Sequence, residues 1–439
     1  MNTVFRPVIA AGFVWCWALC AVANDGPPPF PWIDPDGVPG AMLICGGDPP
    51  APNVLSRFRD LARDRETKTI TVRPGGEISE ENRIVLPGAI VVCGPFDQQM
   101  RGQLLAAVTK QPDHIGICLN RGAALYIRGR QMQVLEEASI HILLAAAAGR
   151  PLREVELHGG ARHDLTMLRR SALERSLSAF PPQVPPRPSL AHGSLVIVGG
   201  GSLSAEITNR FIELAGGPAA PIVVLPIAAG DELSGDEASD TRLFARAGAT
   251  NVKSLRARRR EEVESPEFAA ALSAAKGVWF NGGRQWRFVD AYMGTKAEEL
   301  FRGVLERGGV IGGSSAGASI QSQYMPRGSP LGNLDMLADG YERGLGFLPG
   351  VAIDQHFTQR KRHRDMSGLV LRYPQLLGIG IDESTALVVC QQSAEVIGRG
   401  KVFFYDHRTG LPAGQNDYTA VAAGQTYDLV ERRVLTPVP

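Results

Sequence analysis

A serine within a run of small residues is the first candidate for chemistry in this sequence. Gly313-Ser314-Ser315-Ala316-Gly317 follows the apolar pair Val310-Ile311 and fits the pattern G-x-S-x-G. This pattern places a serine on a sharp turn between a strand and a helix, and small neighbours allow the close backbone approach that the turn requires. Ser315 is therefore a candidate nucleophile. A simple glycine-serine turn or a phosphate-binding loop would use the same residue types.

A serine nucleophile needs a general base and an acid that orients the base. His356 follows one apolar run, and Asp382 and Glu383 follow another. Because side chains alternate along a strand, only one of these two carboxylates can face the histidine. Asp354 and His356 could instead hold a metal. No third or fourth ligand stands at a convincing spacing, so we expect neither a metal site nor another cofactor.

A glycine turn could supply the backbone N–H groups that stabilise an oxyanion. The apolar run Gly277-Val-Trp-Phe280 leads into Asn281-Gly282-Gly283. The N–H of Gly283 and that of Ala316 could together form an oxyanion hole. Gln285 would then lie at the edge of the cleft as a polar contact for the substrate. The alternative is a glycine turn with no role in chemistry.

Short apolar strands alternate with amphipathic helices in the second half of the chain. This alternation favours an α/β fold with a mostly parallel, doubly wound sheet. Ligands bind at the carboxyl ends of the strands in such sheets, so the candidate segments should meet there. The predicted strands include Ile222–Leu225, Gly277–Phe280 and Val310–Ile311, and the predicted helices include Ser204–Ala215, Glu267–Ala275 and Ala297–Arg307.

Two proline-rich stretches and an internal similarity divide the chain. Met42–Gly47 resembles Leu195–Gly200, and Ile115–Leu125 resembles Ile379–Leu387 with two extra residues in the first copy. The first copy is about a hundred residues shorter and has no serine elbow. We therefore predict a degenerate duplication. The predicted parts are a signal peptide (1–23), a Pro/Gly-rich lead-in (24–40), a degenerate α/β domain without a nucleophile (41–180), a Pro-rich linker (181–192) and a second α/β domain (193–439).

The N-terminus resembles a secretory signal peptide. Arg6 precedes an apolar stretch too short to span a bilayer comfortably, and Ala21-Val22-Ala23 fits a cleavage site. We therefore expect export to the periplasm or the exterior, with no membrane anchor after cleavage. An uncleaved anchor is the alternative.

Composition sets few further limits. The formal net charge is +1, which gives no general argument for binding nucleic acid or a membrane surface. The cysteines outside the signal peptide lie in apolar runs at wide spacings, which predicts buried thiols. They are Cys45, Cys93, Cys118 and Cys390.

Four segments together resemble the cyanophycinase and dipeptidase E type of serine peptidases, which have a glutamine-amidotransferase-like α/β fold. The segments stand in the family's order, and the resemblance extends from about residue 193 to about residue 433. They are Gly282-Gly283-x-Gln285, Ser314-Ser315-Ala316-Gly317-Ala318, Asp354-x-His356-Phe357 followed by Arg360-x-Arg362, and Gly378-Ile-Gly-Ile-Asp-Glu383.

The resemblance implies a role for each of these residues and a peptide or polypeptide as the partner. It implies hydrolysis of an arginine-decorated polyaspartate polymer through an acyl-enzyme, and it leaves a homodimer open. By this resemblance Ser315 is the nucleophile, His356 the base and Glu383 the third member of the triad; Gly283 and Ala316 bind the oxyanion; and Gln285, Asp354, Arg360 and Arg362 line the substrate site.

The chain departs from the family beside these residues. Arg284 stands where an acidic residue is usual, Lys361 where a glycine is usual, and Arg364-Asp365 where a Gly-Arg pair is usual. In the first copy, Arg121 stands opposite Glu383, so we expect that copy to be inactive. A serine hydrolase remains the leading hypothesis, and two alternatives stay open: a dipeptidase E-like enzyme for short peptides with an N-terminal aspartate, and a non-catalytic binding protein on the same fold, which the substitutions at Arg284 and Asp365 motivate.

Overall fold

The structure is a computed structural model. It describes residues 30–47, 50–62, 66–72, 86–135, 137–230, 233, 235–408 and 416–435. The predicted signal peptide lies outside these ranges, as do residues 24–29 of the predicted lead-in. Within them, no helix combines the length and the apolar character needed to cross a bilayer. Residues from Pro31 onwards belong to one compact unit, and the domain boundaries given above stay a prediction.

The first half of the chain forms two small sheets and three helices within the described ranges. A five-stranded sheet has the order β2-β1-β5-β6-β9, and a four-stranded sheet has the order β3-β4-β7-β8. In chain order these elements are β1 (Val38–Gly46), α1 (Pro52–Ala62), β2 (Thr67–Val72), β3 (Ala89–Cys93), α2 (Gln98–Lys110), β4 (Ile115–Leu119), β5 (Ala124–Gly129), β6 (Gln131–Leu135), β7 (Ile140–Leu144), β8 (Arg153–Leu157), β9 (Arg162–Asp164) and α3 (Leu165–Ser176).

The second half begins after the predicted linker, residues 181–192, which contains neither helix nor strand. Its elements in chain order are β10 (Ser194–Val198), α4 (Ala205–Leu214), β11 (Ile222–Leu225), α5 (Glu237–Arg246), β12 (Val252–Ser254), α6 (Arg260–Val263), α7 (Pro266–Ala274), β13 (Gly277–Phe280), α8 (Trp286–Tyr292), α9 (Ala297–Glu306), β14 (Val310–Ser314), α10 (Ala316–Ser319), β15 (Ser322–Tyr324), β16 (Leu348–Gln355), α11 (His363–Arg372), β17 (Leu377–Ile381), β18 (Thr385–Cys390), β19 (Ser393–Gly398), β20 (Lys401–Asp406), β21 (Thr419–Ala422), β22 (Thr426–Asp428) and β23 (Arg433–Leu435).

The main sheet of the second half is mixed, so the prediction of a mostly parallel sheet is wrong for the sheet as a whole. Its order is β12-β11-β13-β14-β10-β18-β19-β22-β23. The strands from β12 to β10 are parallel, and the pairings from β10 to β23 are antiparallel. The reason is local: β18 and β19 are joined by only two residues, and so short a connection can only form a hairpin. The fold class is α/β with mixed sheets.

Helices cover both faces of the parallel strands, because successive side chains of a strand point to opposite faces. On β13 the ring of Trp279 lies 5.0 Å from that of Phe211 on α4. The next ring, Phe280, lies 5.1 Å from Phe288 on α8 and 5.1 Å from Phe301 on α9. The helices predicted over 204–215, 267–275 and 297–307 are confirmed to within one residue at each end.

A second sheet positions the other candidate residues. Its order is β15-β16-β17-β20-β21, with β16 and β17 parallel. Its strand β16 ends at Gln355, next to His356, and β17 ends at Ile381, next to Asp382 and Glu383. The carboxyl ends of two neighbouring parallel strands therefore bring the histidine and the acidic pair together, as the sequence predicts.

The two halves share strand registers. Cys45 pairs with Ala124 in the first half, and Val198 pairs with Ala386 in the second. A Cβ atom at Gly116 would meet Leu104 and Val108 of α2, and one at Gly378 would meet Met366 and Val370 of α11. Gly116 and Gly378 thus occupy similar positions against a helix, and this register differs by two residues from the predicted match of Ile115 with Ile379.

The cysteines behave as the sequence predicts. Cys45, Cys93 and Cys118 are buried and Cys390 is half-buried, and none of these four thiols forms a disulfide. Burial raises the pKa of Cys45 to about 11 and that of Cys118 to about 12. These thiols are therefore protonated at neutral pH and belong to the packed core.

Candidate active site

Ser315 lies on a strained turn between β14 and α10. Its φ is 57° and its ψ is −111°, a conformation that non-glycine residues rarely adopt and that functional sites often contain. Its N–H donates to the carbonyl of Val198 at 3.0 Å. A Cβ atom at Gly317 would lie 2.0 Å from the carbonyl oxygen of Phe280. The glycine is thus required by close packing of the elbow on β13, as the sequence pattern predicts.

His356 lies within hydrogen-bond distance of Ser315. Its Nε2 is 2.8 Å from Ser315 Oγ, and its backbone N–H donates to the Gly199 carbonyl at 2.7 Å. The ring rests directly on Gly200, where a Cβ atom would lie 2.2 Å from His356 Cε1. A glycine at position 200, just after β10, is therefore needed to leave room for the imidazole.

Glu383, and not its neighbour Asp382, faces the histidine. His356 Nδ1 lies 2.6 Å from Glu383 Oε1. Asp382 is 7% exposed, and its carboxylate accepts the N–H of Thr358 at 3.0 Å and that of Lys401 at 3.2 Å. The sequence left open which of the two carboxylates faces the histidine, and the structure answers this question. Glu383 contacts the His356 ring, and Asp382 accepts N–H groups of the neighbouring backbone.

The glycine turn after β13 lies beside Ser315. A Cβ atom at Gly282 would be 3.4 Å from Ser315 Cβ, and Gly283 has a φ of 142° because its backbone packs against the Ala228 carbonyl. Within the described ranges, neither the N–H of Gly283 nor that of Ala316 donates to another backbone group. Both N–H groups therefore lack a backbone acceptor, as the predicted oxyanion hole requires.

Comparison with known proteins agrees with this geometry. Residues 195–397 match the family model of peptidase family S51. A cyanophycinase from Trichormus variabilis is 32% identical over 272 residues, which are 57% of this chain and 90% of that protein. The chain belongs to peptidase family S51. This S51 member is accordingly a serine-type peptidase.

Other proteins are similar to this S51 peptidase over about half of its length. A cyanophycinase from Geminocystis herdmanii is 33% identical over 221 residues, which are 48% of this chain and 80% of that protein. A crystal structure of a peptidase from an acI-B1 Actinobacterium has 25% sequence identity and a TM-score of 0.42, and it covers 54% of this chain and 97% of its own. The family model begins at residue 195, so the first half of the S51 peptidase lies outside it.

Three of the four residues predicted to line the substrate site of the S51 peptidase are buried. Gln285 is 3% exposed, and its amide donates to the carbonyls of Pro326 and Arg327 at 2.8 and 2.9 Å. The NH₂ group of Gln285 thus holds a loop beside the site, and its role as a contact for the substrate stays a prediction. Asp354 and Arg362 are also buried and form an ion pair at 2.5 Å. Of the four, Arg360 is exposed.

Sequence reasoning missed Arg327, which lies at the centre of this buried cluster. Its Nε donates to Asp354 at 3.1 Å and its Nη2 to Asp365 at 2.6 Å. Its φ is 60°, and it is 3% exposed. No local pattern marks Arg327, because both of its acidic partners are far away in the sequence.

The departures of the S51 peptidase from its family pattern surround the segment that carries Arg327. We define the wall segment as residues 326–342. Arg284 donates to the carbonyls of Ser329 and Gly332 in this segment at 2.6 and 2.8 Å. Asp365 binds Arg327 of the same segment, whereas Lys361 and Arg364 are exposed at the surface. Two of the substituted positions therefore anchor the wall segment and do not face open cleft.

The electrostatic surroundings of His356 favour its neutral form. Burial lowers the pKa of His356 below the ordinary value of 6.5, the hydrogen bond to Glu383 raises it, and the positive charge of Arg360 lowers it. The net direction is downward. A neutral imidazole can accept a proton from Ser315 at physiological pH, which a general base requires.

We expect the site to stay reactive under mildly acidic conditions. Labelling of Ser315 by a fluorophosphonate probe should slow as the pH falls through the pKa of His356, with a midpoint below 6.5. Arg360→Gln removes a cation that lowers this pKa, so it should move the midpoint upward. The measurement is the second-order labelling rate across pH 4 to pH 8. A wild-type midpoint above 6.5, or a downward shift in Arg360→Gln, would contradict the expectation.

The described residues contain no group of three or more His, Cys, Asp or Glu side chains arranged to hold a metal ion. Serine, imidazole and carboxylate in hydrogen-bonded sequence can carry out acyl transfer.

Proposed function

We propose that this protein is an exported serine peptidase that hydrolyses peptide or isopeptide bonds in cyanophycin-like or other Asp-rich polypeptides. The observation that carries the proposal is the hydrogen-bonded series Ser315–His356–Glu383, with distances of 2.8 and 2.6 Å, at a strained elbow. The names of the relatives supply the substrate class, since those matched above are cyanophycinases.

The proposed mechanism proceeds through an acyl-enzyme. Ser315 Oγ attacks the scissile carbonyl carbon while His356 Nε2 removes its proton, and Glu383 stabilises the resulting imidazolium. The N–H groups of Gly283 and Ala316 bind the negative oxygen of the tetrahedral intermediate. Collapse of the intermediate breaks the bond to the leaving amine, which takes the proton from His356. Water then attacks the ester by the same route and releases Ser315.

Arg360 is the proposed contact for a carboxylate of the substrate. It is exposed and close enough to His356 to affect its pKa, and a guanidinium binds carboxylates in a bidentate geometry. The remaining three residues are buried and act indirectly, by holding the segments around the site in place. They are Gln285, Asp354 and Arg362. This division differs from the sequence prediction, which gave all four residues the same role.

The substrate is tested by direct comparison. Purified protein is incubated with insoluble cyanophycin and, separately, with Asp-Xaa dipeptides, and the released products are measured by mass spectrometry. We expect solubilisation of the polymer by wild type and none by Ser315→Ala. Cleavage of the dipeptides alone would instead assign a dipeptidase E-like activity. Absence of both hydrolysis and fluorophosphonate labelling would contradict the peptidase proposal and favour a binding protein.

Export remains part of the proposal, since residues 1–23 lie outside the described ranges. Its support is the sequence pattern of the N-terminus. Export predicts that the mature protein recovered from the periplasm or the culture medium begins at Asn24, which N-terminal sequencing would show. A chain that retains its first residues in the membrane fraction would contradict it.

We also propose that the first half is a degenerate copy of the peptidase fold. Its support is the shared register: Ile117 pairs with Ile142 as Ile379 pairs with Phe404, at corresponding positions. The loop that ends β5 has a φ of 56° at Gly129, and the matching loop has a φ of 55° at Gln391. In the first copy, β2 is the parallel neighbour of β1 as β14 is of β10, but residues 41–180 contain no G-x-S-x-G pattern, so we expect this copy to have no nucleophile.

A further inference from the structure

Several side chains of the first half contact helix α8 or the wall segment, and Arg130 contacts both. Arg130 follows β5, and its Nε donates to Asp164 at 2.6 Å within the first half. Its Nη1 donates to Asp290 of α8 at 2.6 Å and its Nη2 donates to the Tyr341 hydroxyl at 2.9 Å. The guanidinium carbon also lies 4.6 Å from the ring centroid of Trp286. Arg130 thus bridges the two halves of the chain.

Arg130 contacts two parts of the second half, helix α8 and the wall segment. Each of them is connected along the chain or by an ion pair to residues of the proposed site. Helix α8 begins at Trp286, three residues after Gly283, so its position fixes the turn that supplies one oxyanion N–H. Tyr341 belongs to the wall segment. Near the other end of that segment, Arg327 donates to Asp354, and Asp354 is two residues before His356 in the chain. Tyr341 also donates to Asp290 at 2.7 Å, which links the helix and the wall segment to each other.

The surroundings of Arg130 make this connection rigid. Its side chain is 19% exposed and its two carboxylate partners are 7% exposed. Arg170 of α3 shares Asp290 with it at 3.1 Å. Charged groups buried in this way exert strong directional interactions, and loss of one partner is costly because the remaining charge stays buried. The geometry therefore allows little independent movement of α8.

We infer that Arg130 is a positioning residue for the peptidase reaction, through which the first half of the chain holds helix α8 and the oxyanion turn in place. The inference rests on the proposed function, because it assumes that Gly283 binds the oxyanion. It assigns a role to the inactive copy: the copy contributes no reacting group and maintains the geometry of the groups that react.

A second contact between the halves provides a matched control. Arg150 binds Asp339 at 2.6 Å and Glu342 at 2.8 Å, both in or at the end of the wall segment, and Glu174 of α3 at 3.4 Å. Its side chain is as well buried as that of Arg130. None of its three partners lies on α8. Arg150→Met should therefore weaken the association of the halves as Arg130→Met does, without releasing the oxyanion turn.

The test compares full-length wild type with Arg130→Met, Arg130→Lys, Tyr341→Phe and Arg150→Met. For each protein we measure the second-order labelling rate with a fluorophosphonate probe, the pH midpoint of that rate and the melting temperature. The phosphonyl oxygen of the probe occupies the oxyanion hole, and misplacement of a reacting group by about 1 Å costs roughly 100-fold. We therefore expect a decrease of about 10- to 100-fold in Arg130→Met, with the midpoint unchanged because His356 is not contacted.

The control variants decide between positioning and simple stabilisation. Arg150→Met should lower the melting temperature and leave the labelling rate within about threefold, while Arg130→Lys and Tyr341→Phe should give smaller decreases in rate than Arg130→Met. Equal changes in rate for Arg130→Met and Arg150→Met, or none in either, would overturn the inference. If Arg130→Met fails to fold, the labelling rates of Arg130→Lys and Tyr341→Phe are compared with that of Arg150→Met. Lower rates in the first two variants support the inference, and rates equal to that of Arg150→Met overturn it. A wild type that is not labelled would instead overturn the proposed function and, with it, this inference.

Discussion

Replacement of Ser315 by alanine should reduce hydrolysis by about 10⁶-fold, the loss seen when the nucleophile of a serine triad is removed. The physical reason is that His356 Nε2, 2.8 Å from Ser315 Oγ, would have no hydroxyl to deprotonate and no acyl-enzyme could form. The fold should be retained, because the turn is held by the backbone bond from Ser315 to Val198 and by the glycines around it. Steady-state hydrolysis and thermal unfolding measure the two effects.

Ser314 is the matched control for this substitution. It is the neighbouring serine, is buried, and ends β14. Ser314→Ala removes the same atom one residue away and leaves Ser315, His356 and Glu383 unchanged, so we expect it to keep activity within about tenfold of wild type and to retain fluorophosphonate labelling. Equal losses in the two variants would argue that the elbow tolerates no change and that Ser315 is not specifically the nucleophile.

Replacement of Glu383 by glutamine should have the second largest effect, a decrease of about 10⁴-fold. The carboxylate accepts from His356 Nδ1 at 2.6 Å and thereby keeps Nε2 free to accept a proton. An amide NH₂ in its place would donate to Nδ1 and favour the wrong tautomer. We expect the loss to appear in the chemical step, measured as kcat, with little change in melting temperature.

Asp382→Asn is the control for Glu383→Gln, since the two residues are adjacent and the same change is made. Asp382 accepts the N–H groups of Thr358 and Lys401. An asparagine oxygen can retain only part of this arrangement, so we expect a loss of about 1–3 kcal/mol in the free energy of unfolding and a much smaller change in kcat. The reverse pattern in the two variants would assign the orienting role to Asp382.

The candidate catalytic groups could be found in the sequence because their immediate neighbours mark them. Ser315 stands among small residues that only a tight elbow requires, and Gly282-Gly283 follows an apolar strand. The choice between Asp382 and Glu383 could not be made from the residues alone. It depends on which of the two side chains, after the end of β17, points toward His356. Alternation shows that one residue points inward without showing which one.

The parts that escaped prediction are those held by partners distant in the sequence. Arg327 gains its place from Asp354 and Asp365, and Arg130 gains its place from Asp290 and Tyr341. A single arginine in a loop carries no local sign of such partners, since most arginines are solvated. The antiparallel half of the main sheet was missed for a related reason: apolar strands look alike in sequence whichever direction their neighbours run.

The anchoring of the wall segment has a consequence for the order in which its residues could have changed during evolution. Arg327 lies between Asp354 and Asp365, and Arg284 binds the carbonyls of the same segment. Reversion of Asp365 alone to arginine would place a second cation beside a buried one, and reversion of Arg284 alone to an acid would set a carboxylate against carbonyl oxygens. Residues in such direct contact do not contribute additively. Ancestral or engineered forms of this site should therefore tolerate these substitutions only in combination, with the wall segment exchanged as one unit.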